Sequence, residues 1–294
     1  MQVLKLAYLC SIVFSTSIAA SPILPSRAIS PTLCTDFVRY TQYSSAVYQP
    51  YCPRPLGNTL VQFFAEGSTH AFVARDDTRQ ELVVSFRGSF SLADAVTDID
   101  VFLVPYVSLG ISKSFNVHSG FLAAYNHVAD PVLAVVKAQV SKFPKYTVVV
   151  TGHSLGGSLA ALGATSLKIA LPKVTIMLYT FGQPRTGDKE FAAFMESTLG
   201  VDNIFRAVHT FDGVPTIIPQ ILGYEHHGTE YWQFKDPGLF TSPATTVTKC
   251  IGKEDPACSD SIFSTGINLA HLFYFGQGAY ASFFTDKMEL TAQQ

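Results

Sequence analysis

The stretch from Tyr146 to Ala170 changes period in its middle, and that change constrains the fold more than any bulk property. Tyr146-Thr147-Val148-Val149-Val150 is β-branched at nearly every position, the pattern of a strand buried on both faces of a mostly parallel sheet. Ser158 to Ala170 is rich in Ala and Leu at helical spacing. Between them lies Gly152-His153-Ser154-Leu155-Gly156, a Gly-x-Ser-x-Gly turn from strand to helix. A turn this tight leaves no room for side chains beside the serine, so both flanks are glycine. It lifts the Ser154 hydroxyl off the sheet edge at a helix N-terminus, where the Leu155 N–H can stabilise an oxyanion. Ser154 is therefore the candidate nucleophile.

The rest of the chain alternates in the same way. A helix is expected over 36–48, strands over 71–74 and 81–86, and a long helix over 121–142. After the serine turn come a strand (174–181), a helix (188–199), a strand (203–208), a long loop region (212–260) and a short closing segment near 270–275. Alternating strands and helices predict an α/β architecture, a mostly parallel sheet with helices on both faces. No repeat or low-complexity linker divides it, so 31–294 reads as one domain.

The start of the chain reads differently. Lys5 precedes the apolar run Leu6 to Phe14 and the small residues Ser15 to Ala20, the layout of a secretory signal over 1–20. Residues 21–30, with Pro22 and Pro25, read as a loose leader or short propeptide. No other stretch is apolar enough to span a bilayer. Cysteine usage fits an oxidising compartment: Cys34, Cys52, Cys250 and Cys258 remain after the signal, enough for two disulfides. Cys250 with Cys258 is a plausible local bridge, which pairs Cys34 with Cys52. No histidine stands near either pair at metal-ligand spacing, so no metal site is expected. A net charge of −2 over 294 residues gives no footprint for nucleic acid.

Partners for Ser154 follow from chain order, nucleophile then acid then histidine. Asp212 follows a strand directly, and Gly213 and Pro215 turn the chain away, leaving its carboxylate at the strand's C-terminal edge. Asp188 and Asp202 stand at helix ends, where capping accounts for them. His271, the last histidine, is the candidate base. His209 at a strand end reads as structural, and His226 and His227 read as loop residues facing substrate or solvent.

These residues sit in a wider pattern: Ser85-Phe86-Arg87-Gly88-Ser89, Val117-His118-Ser119-Gly120-Phe121, Gly152 to Gly157, Phe181-Gly182-Gln183-Pro184-Arg185-Thr186-Gly187, Asp212-Gly213-Val214-Pro215, Glu230-Tyr231-Trp232 and Ala270-His271-Leu272-Phe273-Tyr274. In this order they resemble the fungal class 3 lipases, secreted enzymes of filamentous fungi related to the type A feruloyl esterases. The resemblance implies an α/β-hydrolase fold, a triad of Ser154, Asp212 and His271, and an oxyanion hole from Ser89 and Leu155. It also implies a lid, here Phe90 to Tyr106, in which Leu92, Val96 and Ile99 share one face at helical spacing.

Two ester classes stay open. The apolar lid candidate and apolar residues such as Ile217 and Ile218 favour a lipase or broad carboxylester hydrolase working at a lipid–water interface. Pro184 to Gly187, Asp212-Gly213 and the cysteine pair after Tyr231-Trp232 resemble the feruloyl branch. A catalytically silent lipid-binding protein on the same fold would have no use for Ser154, Asp212, His271 and Ser89 together. An acyl-enzyme route needs no cofactor or metal, and the chain is taken as a monomer.

Overall fold

The computed structural model describes residues 27–88, 101–109, 111–262 and 266–278. The expected signal at 1–20 and most of the expected leader lie outside these residues. The last part of that leader, however, is built into the body. Ala28 bridges to Thr248, the Lys249 N–H donates to the Arg27 carbonyl at 2.8 Å, and Ser30 caps the first helix by accepting the Leu33 N–H.

That helix, α1 (Pro31–Ala46), begins five residues before its expected start, because Ser30 followed by Pro31 is a start signal. An antiparallel pair follows, β1 (Thr59–Glu66) and β2 (Thr69–Asp76), then β3 (Glu81–Phe86), β4 (Leu103–Ser108) and β5 (Ile111–His118). Next come α2 (Ser119–Lys142), β6 (Thr147–His153), α3 (Leu155–Ala170), β7 (Ile176–Phe181), β8 (Gly187–Asp188), α4 (Lys189–Leu199) and β9 (Ile204–His209). The region read as loop holds three short strands, β10 (Tyr224–Glu225), β11 (Glu230–Gln233) and β12 (Val247–Lys249).

The main sheet runs β1-β2-β3-β6-β7-β9-β11-β12. Its five middle strands are parallel and its flanking pairs antiparallel. Alternation along β6 explains the β-branched run. Val148 and Val150 join the apolar cluster containing residues of α2, α3 and α4, while Val149 joins the cluster under α1 with Phe37, Tyr179 and Phe205. Both faces are thus covered, as the all-apolar strand requires. A second sheet, β10-β8-β5-β4, lies apart from the first. It takes up Leu103 to Tyr106, the end of the expected lid segment, as strand; Tyr106 is fully buried there.

Among the described residues one disulfide forms, Cys250 to Cys258. Cys34 and Cys52 are free, which corrects the expected second bridge. The reason is α1 itself. Cys34 is buried in its first turn and the chain leaves at Ala46, so roughly 18 Å of helix separates Cys34 from the exit leading to Cys52. A disulfide needs its Cα atoms within about 7 Å.

Candidate active site

The serine turn is as cramped as its glycines imply. A Cβ at Gly152 would stand 2.1 Å from the Gly156 carbonyl oxygen, and one at Gly156 would stand 2.3 Å from that of Phe86. Ser154 itself takes φ +59°, a conformation costly for a residue with a side chain. Its N–H donates to the Phe181 carbonyl at 2.9 Å, which locks the end of β6 to that of β7. Leu155 is the first residue of α3, and the first N–H groups of a helix have no acceptor within it.

Asp212 and His271 meet across the ends of the sheet. The His271 Nδ1–H donates to Asp212 Oδ2 at 2.8 Å, and both side chains are fully buried. The Tyr274 hydroxyl donates to the same oxygen and the Val214 N–H to the other, at 2.9 Å. Burial opposes the charge on Asp212, but His271 and these donors outweigh it and hold the carboxyl below its ordinary value. The far side of the ring is different: His271 Nε2 is buried and has no hydrogen-bond partner among the described residues. A histidine oriented at Nδ1 and free at Nε2 is equipped to take a proton from a neighbouring hydroxyl.

The residue before Ser154 ties the two halves together. His153 is fully buried and its pKa falls to about 3 through desolvation and the nearby His271. It is therefore neutral, its Nε2–H donating to the His271 carbonyl at 2.8 Å and its Nδ1 accepting from the Tyr48 hydroxyl at 3.1 Å. Tyr48 in turn accepts the Gly88 N–H at 3.1 Å. One chain of hydrogen bonds thus joins the end of the β3 segment, the serine turn and the backbone of His271.

With that geometry in view, comparison with known proteins gives a consistent answer. The model of the class 3 lipases matches residues 83–222. A Rhizomucor miehei lipase is 38% identical over 211 residues, which cover 71% of this chain and 55% of that protein. The secreted mono- and diacylglycerol lipase 1 of Fusarium solani is 35% identical over 206 residues, 70% of this chain and 59% of that protein. The chain thus spans somewhat over half the length of these two curated relatives. The solved Rhizomucor miehei triacylglyceride lipase superposes with a TM-score of 0.75 at 31% identity, over 86% of this chain and 97% of that one. The chain belongs to the class 3 lipase family.

Not every residue expected from the sequence lies within the described part of the chain. Ser89, Phe90, Leu92, Val96 and Ile99 lie outside the described residues. Ile218 is fully buried in the apolar cluster with Phe115 and Val117, and Ile217 packs against that cluster. The reading of His226 and His227 as facing substrate or solvent is corrected, since both are 2% exposed. His226 donates from Nε2 to the Pro215 carbonyl, while His227 accepts from Gln183 Nε2 and donates from Nδ1 to the Gly228 carbonyl. Burial and the Arg206 charge push both pKa values down, that of His227 to about 3. His209 bonds to the Ala270 carbonyl and to Asp236, a structural role suited to the end of β9. Tyr274 and His153 stand inside the quoted motifs, and Tyr48 at the end of the helix expected over 36–48, none with a role of its own in the sequence. Only their partners, 40 to 118 residues away in the chain, give them one.

Proposed function

We propose that this chain is a secreted serine ester hydrolase that cleaves acylglycerols through an acyl-enzyme on Ser154. The observation that carries the reading is the buried His271 ring, packed on His153 of the serine turn, fixed by Asp212 at Nδ1 and without an Nε2 partner among the described residues. In the reaction, Ser154 Oγ attacks the ester carbonyl while His271 Nε2 accepts its proton. Asp212 holds the ring and stabilises the imidazolium. The Leu155 N–H, together with Ser89, stabilises the oxyanion. His271 then gives its proton to the departing alcohol, and water repeats the sequence to release the acid and restore Ser154.

Acylglycerols are favoured because the relatives carry that chemistry in their names, one a mono- and diacylglycerol lipase and one a triacylglyceride lipase. Secretion is supported by the signal-like start of the chain and by the name of the Fusarium relative. Among the described residues no helix is long and apolar enough to cross a membrane. The test compares wild type with Ser154→Ala on emulsified triacylglycerol, a monomeric short-chain ester and methyl ferulate. Wild type is expected to hydrolyse the first two and Ser154→Ala none, with turnover rising once the acylglycerol forms an interface. Ferulate turnover without preference for an emulsion would transfer the chain to the feruloyl branch, and equal inertness of both proteins would refute hydrolysis.

A further inference from the structure

Two carbonyls on the segment that carries Asp212 are held by buried donors, and both donors are anchored by one distant carboxylate. Beyond Asp212, the Pro215 carbonyl accepts from His226 Nε2–H at 2.9 Å, and the Ile218 carbonyl accepts from Arg185 Nη1 at 2.9 Å. Glu254 accepts from Arg185 Nε and Nη2 at 2.8 Å each, and its Oε1 also accepts the His226 backbone N–H at 2.8 Å. A guanidinium that presents one edge to a carboxylate has its remaining nitrogen aimed in a fixed direction. Here that direction is Ile218.

Glu254 is itself held. It lies inside the loop that the Cys250–Cys258 disulfide closes. The Lys253 carbonyl accepts from Arg206 Nη2, and Asp255 accepts the Ile251 and Ala257 N–H groups. Arg185 also stands three residues beyond Gly182, where a Cβ would meet Asp212 and His271 at 2.8 Å. The two chains flanking the Asp212–His271 pair, 182–185 and 212–218, therefore converge on one ion pair outside the site.

We propose that Glu254, acting through Arg185 and His226, sets the position of Asp212 against His271. It is a positioning residue, not a group that touches substrate, and the inference rests on the ester-hydrolase reading above. Charge is central because the Arg185 side chain is only 2% exposed. Without the Glu254 carboxylate that cation is buried with Asp260, 3.4 Å from Nη2, as its nearest acidic neighbour. A swing towards Asp260 draws Nη1 off the Ile218 carbonyl and loosens the loop that begins at Asp212.

The experiment uses Glu254→Gln and Arg185→Lys in the full chain. Competent sites are counted first with a nitrophenyl phosphonate ester, which bonds to Ser154 and releases one nitrophenolate per site. Turnover per counted site is then measured on a soluble short-chain ester across pH. For Glu254→Gln we expect kcat per site to fall roughly 10- to 100-fold, the scale of a small misplacement of a catalytic group. KM should change by less than about threefold, since a transition-state contact and not general binding is weakened. The acid limb of kcat/KM should move to lower pH, because an Asp212 drawn back from Nδ1 stabilises the His271 imidazolium less. Arg185→Lys keeps a cation for Glu254 but cannot also reach Ile218, and it carries the same expectations if Glu254→Gln does not fold. Variants with wild-type kcat per site and an unmoved acid limb, whatever their melting temperature, would overturn the proposal. A wild type inert in both titration and turnover would instead remove the ester-hydrolase reading beneath it.

Discussion

A Cβ added to Gly182 would stand 2.8 Å from Asp212 Oδ2, His271 Cε1 and His271 Nδ1, and the residue has φ +59°. Gly182→Ala therefore combines an unfavourable backbone, about 1 kcal/mol, with a wedge driven between Asp212 and His271. We predict a folded variant with kcat lowered by roughly 100-fold, checked by turnover per titrated site beside a far-ultraviolet dichroism spectrum. Wild-type turnover would mean that the Asp212–His271 contact does not govern the reaction. Tyr48→Phe acts one step away, at His153. It strips the donor from His153 Nδ1 and the acceptor from the Gly88 N–H, both buried, and should lower stability by about 1–3 kcal/mol in urea titration. At this scale the sequence spoke through local motifs. Ser154 announced itself by its glycines, Asp212 by the strand end and the turn after it, His271 by chain order. No role can be read locally for Tyr48, Tyr274, Arg185 or Glu254, because each owes its place to a partner 40 to 105 residues away.

Among the elements, those with a strong period were legible and those on the margins were not. The β6 run and the α3 helix follow from composition, and β3 from its apolar residues, because burial on both faces keeps their middles apolar. β11 has four residues and takes its strand character from pairing with β9. β1, mostly exposed along its length, has no clean alternation to read. Helix caps were legible where the residue type is specific. Asp188, which its place at a helix end marks as a cap, accepts the Phe191 N–H at 2.7 Å as the N-cap of α4. It also accepts the backbone and side-chain N–H groups of Asn116 at 2.7 and 3.0 Å, joining the helix start to β5. Asp188→Ala should thus cost more than a cap alone, about 2–3 kcal/mol. A urea midpoint that drops without a change in slope would bear this out, and a loss below about 0.5 kcal/mol would contradict it.

For the molecule as a whole, the histidines that serve structure predict how it fails in acid. His153 and His227 are buried with pKa values near 3, and desolvation with the Arg206 and Arg185 charges holds His226 well below its ordinary value. In the unfolded chain each returns to about 6.5. Between those limits the unfolded state binds more protons than the folded one, so stability rises with pH across that window. It is fully present above about pH 6.5 and is lost as pH falls towards the folded values. Three such groups give a slope of up to about 4 kcal/mol per pH unit, set against a typical total of about 5–15 kcal/mol. The lowered carboxyls of Asp212 and Glu254 add a second loss, which begins only near and below their ordinary pKa values. Acid unfolding should therefore begin well above the carboxylate range, with its midpoint between about pH 5 and 3. His227→Gln, which can still accept from Gln183, should flatten the upper part of the curve by about one proton. Unfolding free energy measured in urea at steps from pH 7 to 4 distinguishes the two causes. A fall already under way between about pH 6.5 and 5 assigns acid lability to the buried histidines, whereas a curve level down to about pH 4.5 would show that they are protonated inside the fold without penalty.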